Sequence, residues 1–161
     1  MKTCTSILEA QAVPGVTMIW AGPPVIAYEP GDVIPANHLP APVDPKAVAW
    51  EAIKAHRDLL SDTGGYFVAS VSKWFHSDEK SKTQQISLFI MGAAVPPVQW
   101  KTMDGSFVGM TQTLAAQIFQ AAVSQDQAIF ANAERHRLLM LASADSANYD
   151  FSGGWPAVFG G

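Results

Sequence analysis

Residues 111–143, TQTLAAQIFQAAVSQDQAIFANAERHRLLMLAS, predict the longest element of the fold, because no glycine or proline interrupts them. Thr111 is a typical N-cap, and apolar side chains recur at helical spacing along one face. That face consists of Ala115, Ile118, Ala122, Ile129, Ala133, His136 and Leu139 or Met140, with Phe119 and Phe130 beside it. Gln125 and Asp126 weaken the face midway. The segment is therefore either one long helix or an antiparallel pair of shorter helices.

Two elements are predicted before this segment: a helix that begins near residue 79, and then a hairpin at residues 98–108. Residues 98–108 carry Asp104-Gly105 between two short runs, and glycine adopts a positive φ in such a turn without steric cost. Ser77-Asp78-Glu79 caps and charges a helix start, and this helix extends to about residue 91 or 92. The helix ends in a run without one clean face, which indicates a fully buried helix end or a strand, and we favour the helix: Ile86, Leu88, Phe89, Ile90, Met91. Pro96-Pro97 then breaks the chain.

Two further elements are predicted nearer the N-terminus. Residues 65–76 are aromatic and β-branched with polar residues near the middle, which predicts another hairpin. Asp44-Pro45 is a helix start, with a carboxylate cap followed by proline at the first helical position. Residues 62–65, Asp-Thr-Gly-Gly, stop this helix. Its apolar face consists of Ala49, Ala52, Ile53, His56 and Leu60.

The first 45 residues contain eight of the chain's 11 prolines, and each proline removes a backbone donor. We therefore predict an extended proline-rich docking arm over residues 1–44. A compact α+β domain over residues 45–161 follows it. The predicted fold class is α+β and mostly helical, with the order helix–hairpin–helix–hairpin–long helix and the extended N-terminal arm. The arm either folds over its own domain or lies along a partner.

Both ends of the chain carry large apolar side chains in segments that do not form regular helices. The last 13 residues combine four aromatics with four glycines, which indicates anchors that pack either on the domain or on a partner. We predict six partner-binding residues, three in the arm and three in the aromatic C-terminal tail: Trp20, Tyr28, Ile34, Tyr149, Trp155 and Phe159.

Composition excludes several classes of function. The net charge is −4 and only 15% of the 161 residues are charged, so no basic stripe is available for nucleic-acid binding. No run of 18 apolar residues predicts a membrane span, and the interrupted N-terminus does not predict a signal peptide. The single cysteine, Cys4, fits a protein made in a reducing cytoplasm. We expect neither nucleic acid nor membrane among its partners.

Motifs for catalysis are also missing from the sequence. No Gly-x-Ser-x-Gly and no phosphate-binding loop occurs, and no two of the four histidines lie within five residues of each other. The pair Asp78-Glu79 falls in a predicted first helical turn, where negative charge is favourable without any catalytic role. We therefore predict no catalytic residues, no cofactor, no metal site and no enzymatic activity.

Several stretches of the C-terminal part resemble a known domain family. They are Trp74–Asp78, Gln84-Gln85, Met91–Ala94, Gln99–Val108, Met110-Thr111 and Tyr149–Pro156. In this order they resemble an uncharacterised domain family found in proteins of tailed phages and prophages, commonly encoded near tail-fibre genes. The resemblance covers about residues 46–156 and brings no catalytic residue and no cofactor. It implies a setting in the tail, the fibre or fibre assembly.

Three functions follow from these observations. The first is a phage tail accessory protein, a virion structural or tail-fibre-associated subunit that acts by protein–protein binding. It would be made in the host cytoplasm, reside in the virion tail, form a homo-oligomer and bind tail-fibre or baseplate subunits. The alternative is a tail-fibre assembly chaperone that binds the fibre without catalysis. The third is a tail-borne polysaccharide or cell-wall enzyme, which the missing acid pair disfavours.

Overall fold

The computed structural model describes residues 1–94 and 98–161, so the predicted chain break at Pro96-Pro97 lies outside the described residues. The chain divides into an N-terminal unit, Met1–Val43, and a C-terminal unit, Asp44–Gly161. Each unit has its own cluster of buried apolar side chains. In the described ranges, no helix combines the length and the apolar character that crossing a bilayer requires.

The N-terminal unit contains a three-stranded antiparallel sheet. Its strands are β1 (Lys2–Cys4), β2 (Met18–Trp20) and β3 (Val25–Tyr28), and β3 lies in the centre, paired with both others. Helix α1 (Ile7–Gln11) joins β1 to β2, and a 3-10 turn spans Ala36–His38. The small core of this unit consists of Cys4, Ala10, Val13 and Ala27.

The predicted extended proline-rich arm is therefore wrong, and so is the predicted fold class that included it. The described residues form four α-helices and three small antiparallel sheets, an α+β fold. The reason lies in where the prolines fall. Pro14, Pro23-Pro24 and Pro30 occupy the connections around β2 and β3, where no ladder hydrogen bond is needed. The short apolar runs between the prolines then pair with one another.

Three helices of the C-terminal unit begin at side-chain caps. Helix α2 (Pro45–Thr63) begins after Asp44, whose carboxylate accepts from the backbone N–H of Lys46 at 2.9 Å. Asp78 caps α3 (Glu79–Met91) and Thr111 caps α4 (Gln112–Ala142), each accepting from an N–H three residues on. These predicted helix starts are confirmed. Helix α4 is continuous, so the alternative of a helix pair broken near Asp126 is wrong.

Two small antiparallel sheets complete the C-terminal unit. Strand β4 (Tyr66–Val68) pairs with β5 (Lys73–Phe75), and β6 (Gln99–Lys101) pairs with β7 (Phe107–Gly109). The turn between β6 and β7 carries Gly105 at a φ of 83°. The Asp104 carboxylate fastens that turn by accepting hydrogen bonds from Thr102 Oγ1 and the Ser106 N–H, and from Lys73 Nζ on β5.

The long helix α4 organises the core of the C-terminal unit. Its N-terminal half contacts α3 and carries Leu114, Ala115 and Ile118 against the side chains of the two sheets. Its C-terminal half contacts α2, where Ile53 meets Ala133 and Met140. The N-terminal half of α4 is thus packed against α3, and its C-terminal half is packed against α2.

Candidate functional site

The three predicted anchors of the N-terminal unit are buried or half-buried in the structure. Tyr28 is fully buried, and its hydroxyl forms a hydrogen bond with Nδ1 of His38. Trp20 stacks on the same His38 ring at 3.9 Å between ring centroids and is half-buried. Ile34 is half-buried as well. The structure brings Trp20 and Tyr28 together through one histidine that was not among the predicted site residues.

Two of the three predicted anchors of the tail pack against the C-terminal half of α4. The Trp155 ring stacks on His136 with centroids 5.5 Å apart, and its Nε1–H donates to the Phe151 carbonyl at 2.7 Å. The edge of His56 on α2 meets the Trp155 ring at 4.8 Å. The tail is therefore held against both α2 and α4 of its own unit.

His136 is the polar centre of this aromatic cluster and is only 4% exposed. Its Nε2 donates to the Gly153 carbonyl at 2.8 Å, so its Nδ1 accepts from the Tyr149 hydroxyl, 2.9 Å away, when the ring is neutral. Both ring nitrogens are satisfied within the chain, which specifies the position of the tail.

Phe159, the last predicted anchor, belongs to a different group of aromatics. Its ring meets the edge of Trp74 at 6.5 Å, and Trp74 in turn lies 5.4 Å from Phe67 across the β4–β5 sheet. The Phe159 N–H donates to the Gly64 carbonyl at 2.9 Å. Phe159 and Phe67 remain 39% and 47% exposed, so the unit covers this group only in part.

A group of exposed apolar side chains lies where α3 meets the N-terminal half of α4. We call it the α3–α4 surface. Its six side chains are between 40% and 75% exposed, and Ile90 is the most exposed of them: Ile86, Phe89, Ile90, Met91, Phe119 and Val123. Phe89 stacks on Phe119 with centroids 5.1 Å apart and ring planes only 7° from parallel. The predicted buried end of this helix is therefore wrong.

A cavity of about 140 Å³ opens beside this surface. Ile86, Phe119 and Val123 form its apolar wall, and Lys82 and Asp126 form its polar end. No other charged residue occurs in residues 83–91 of α3 or 112–125 of α4. The arrangement suits an apolar protein side chain and offers only one ion pair at one end.

Asp126 holds the polar end of the cavity in place. Its carboxylate accepts from Ser61 Oγ at 3.1 Å and from the Tyr66 hydroxyl at 3.5 Å, and it lies 3.9 Å from Lys82 Nζ. Burial, together with the negative charge of Asp126, raises the pKa of the Tyr66 hydroxyl above its ordinary value. Tyr66 therefore stays protonated and acts as a donor. These contacts explain why a polar residue, Asp126, interrupts the predicted apolar face of α4.

Among the described residues, neither a metal-binding cluster nor an unsatisfied buried polar side chain is present. Across residues 1–94 and 98–161, no group of three or more His, Cys, Asp or Glu side chains is placed to hold a metal ion. The same residues leave no buried side-chain nitrogen or oxygen without a hydrogen-bond partner. Sequence reasoning missed the α3–α4 surface, although the uncharged apolar run at the end of α3 was its signal.

Comparison with known proteins and protein families relates the chain to a domain family. Neither the curated proteins nor the solved structures that we compared with the chain match it. Residues 44–153 match the family described as Domain of unknown function (DUF4376), a range that falls within the C-terminal unit and includes α2, α3, α4 and both of its sheets. Because the match extends over more than half of the sequence, the chain belongs to the DUF4376 family.

Proposed function

We propose that this chain is a non-catalytic, protein-binding subunit of a phage tail and that its α3–α4 surface binds a neighbouring subunit of the tail. The observation that carries the proposal is the exposure of Phe89, Ile90 and Phe119 on adjacent helices. Contiguous apolar side chains of this kind are typical of protein–protein contacts, because water contact with them is unfavourable until a partner covers them.

The low charge of the surface supports the same function. Protein interfaces are depleted of charged residues at their centre and enriched in Phe and Met, which is the composition found here. Lys82 and Asp126 stand at one end and can set the orientation of a bound partner without crossing its apolar centre.

The phage-tail setting is supported by the motifs that resemble tail-associated domains. Phe75 and Ser77, Thr102 and Met110 are buried, so these motifs build the scaffold that presents the surface. The proposed partners are tail-fibre or baseplate subunits and further copies of the chain, and the proposed location is the tail of the virion.

Mass spectrometry of purified particles tests this function. We expect the wild-type chain in the particles, and the substitution Ile90→Glu should lower its amount there at least about tenfold, because it places a charge at the most exposed apolar side chain of the surface. Leu138→Glu is the matched control, since Leu138 is also an exposed apolar residue on a helix of this unit but lies outside the α3–α4 surface. The control should be incorporated normally.

Two results would contradict the proposal. Absence of the wild-type chain from intact particles would exclude a virion subunit, and misfolded fibres after gene deletion would then favour the assembly chaperone. Normal incorporation of Ile90→Glu would show that another surface makes the contact.

A further inference from the structure

We infer that the α3–α4 surface is covered by a second copy of this chain, related by a two-fold axis parallel to the helices, so that two helix pairs form a four-helix bundle. The inference rests on the proposed function, because it names the partner of the same surface. Four observations lead to it: the register of the helices, the place of the ion pair, the lack of other charge and the exposed aromatic pair.

The register of α3 against α4 is given by two contacts. Lys82 lies beside Asp126, and Phe89 stacks on Phe119. From the first contact to the second, α3 advances by seven residues while α4 goes back by seven. The helices are therefore antiparallel, and the members of each pair lie at the same height along the helix axes.

With a two-fold axis parallel to the helices, the pairs of residues that lie at the same height within one copy also lie at the same height between the two copies. Rotation by 180° about such an axis leaves heights unchanged and places α3 of one copy opposite α4 of the other. Lys82 then faces Asp126 of the second copy, and Phe89 faces Phe119 of the second copy. Every neighbouring helix in the bundle is antiparallel to the next, which is the common up-down arrangement of four-helix bundles.

The distribution of charge favours this axis. An axis perpendicular to the helices would place α3 on α3 and bring the Lys82–Asp126 end against the uncharged end near Met91. The parallel axis instead pairs cation with carboxylate across the contact. Residues 83–91 of α3 and 112–125 of α4 are uncharged, so these segments meet the second copy without opposing like charges.

The oligomeric state of the purified full chain tests the inference. Sedimentation equilibrium should show a concentration-dependent dimer for the wild type. Ile90→Glu should raise the dissociation constant at least about tenfold, because the glutamate lies in the apolar contact. Leu138→Glu should leave the dissociation constant unchanged. Circular dichroism of each variant must show the wild-type helix content, which separates a lost contact from a lost fold.

Disulfide cross-linking tests the axis. Both partners carry Cys4→Ala, which removes the chain's own thiol. Because Ile86 and Val123 line the same cavity at neighbouring heights, Ile86→Cys chains mixed with Val123→Cys chains should cross-link, and neither chain should cross-link alone. Cross-linking of Ile86→Cys chains with one another would overturn the parallel axis.

The failure of the inference can be told from the failure of the proposed function. A wild-type chain that is monomeric at every concentration would overturn the inference. If Ile90→Glu were nevertheless lost from purified particles, the α3–α4 surface would still bind tail protein, and that protein would not be a second copy.

Discussion

Aromatic side chains that pack around the two halves of α4 differ in how far the chain itself covers them. Around the C-terminal half, Trp155, Tyr149 and His136 are held within the chain by hydrogen bonds and ring contacts. Along the N-terminal half, Phe89 and Phe119 stack on each other and stay partly exposed. Both halves belong to one continuous helix with apolar side chains at helical spacing, so the spacing alone does not decide whether a neighbouring aromatic ring is covered.

The difference lies in the polar atoms that the rings carry. The indole N–H of Trp155, the hydroxyl of Tyr149 and both nitrogens of His136 need partners when buried, and the chain supplies all of them. Phenylalanine has no such atom, so nothing but apolar contact fixes its place. Side chains with hydrogen-bonding groups therefore position the tail, whereas Phe89 and Phe119 stay partly exposed.

The largest expected effect is that of Trp155→Ala. Removing the ring takes away its stacking on His136 and its contact with His56, and the free energy of unfolding should fall by about 3 kcal/mol. Urea denaturation measures the change. Ile90→Ala, on α3 beside the N-terminal half of α4, is the control and should change the free energy of unfolding by less than about 0.5 kcal/mol in the monomer. Equal effects would break the comparison between the halves.

Tyr149→Phe sharpens the comparison with a smaller change. It removes only the hydroxyl and leaves Nδ1 of the buried His136 without its partner. We expect the free energy of unfolding to fall by about 1 kcal/mol, since one buried hydrogen bond is lost and the ring remains. Unchanged stability would show that ring contacts alone hold the tail. The measurement is again denaturant unfolding, with Trp155→Ala as the upper reference.

The smallest effect is expected at the turn beside the N-terminal half of α4. Hydrogen bonds from Lys73, and then from Thr102 and Ser106, lower the pKa of the Asp104 carboxyl below its ordinary value. A group with a lowered pKa stabilises the folded state above about pH 4, and this stability is lost as the pH falls further. Asp104→Asn should therefore flatten the acid limb of a plot of unfolding free energy against pH. An unchanged acid limb would contradict this role.

Local elements of this fold are predictable from sequence, because their causes are local. Each predicted helix start depends on a cap that reaches two or three residues, such as Asp44 to Lys46 or Thr111 to Leu114. The sheet of the N-terminal unit is different. Strand β1 pairs with β3, where Thr3 lies opposite Ile26, and such non-local pairing leaves no local signature among many prolines.

The candidate site could not be predicted from the sequence either, because it also depends on non-local contacts. An apolar run such as residues 86–91 predicts that its side chains avoid water, but it does not state which polypeptide covers them. The prediction of a buried helix end assumed that the chain would cover itself. The exposure of Ile90 and the stacking of Phe89 on Phe119 became visible only once α3 and α4 were placed side by side.

The continuity of α4 has a mechanical consequence. Its 31 residues form a rod about 46 Å long, without the glycine or proline at which helices usually bend. A pull on one end is transmitted to the other rather than absorbed by a hinge. Such a rod would keep a constant distance between the proteins bound at its two ends.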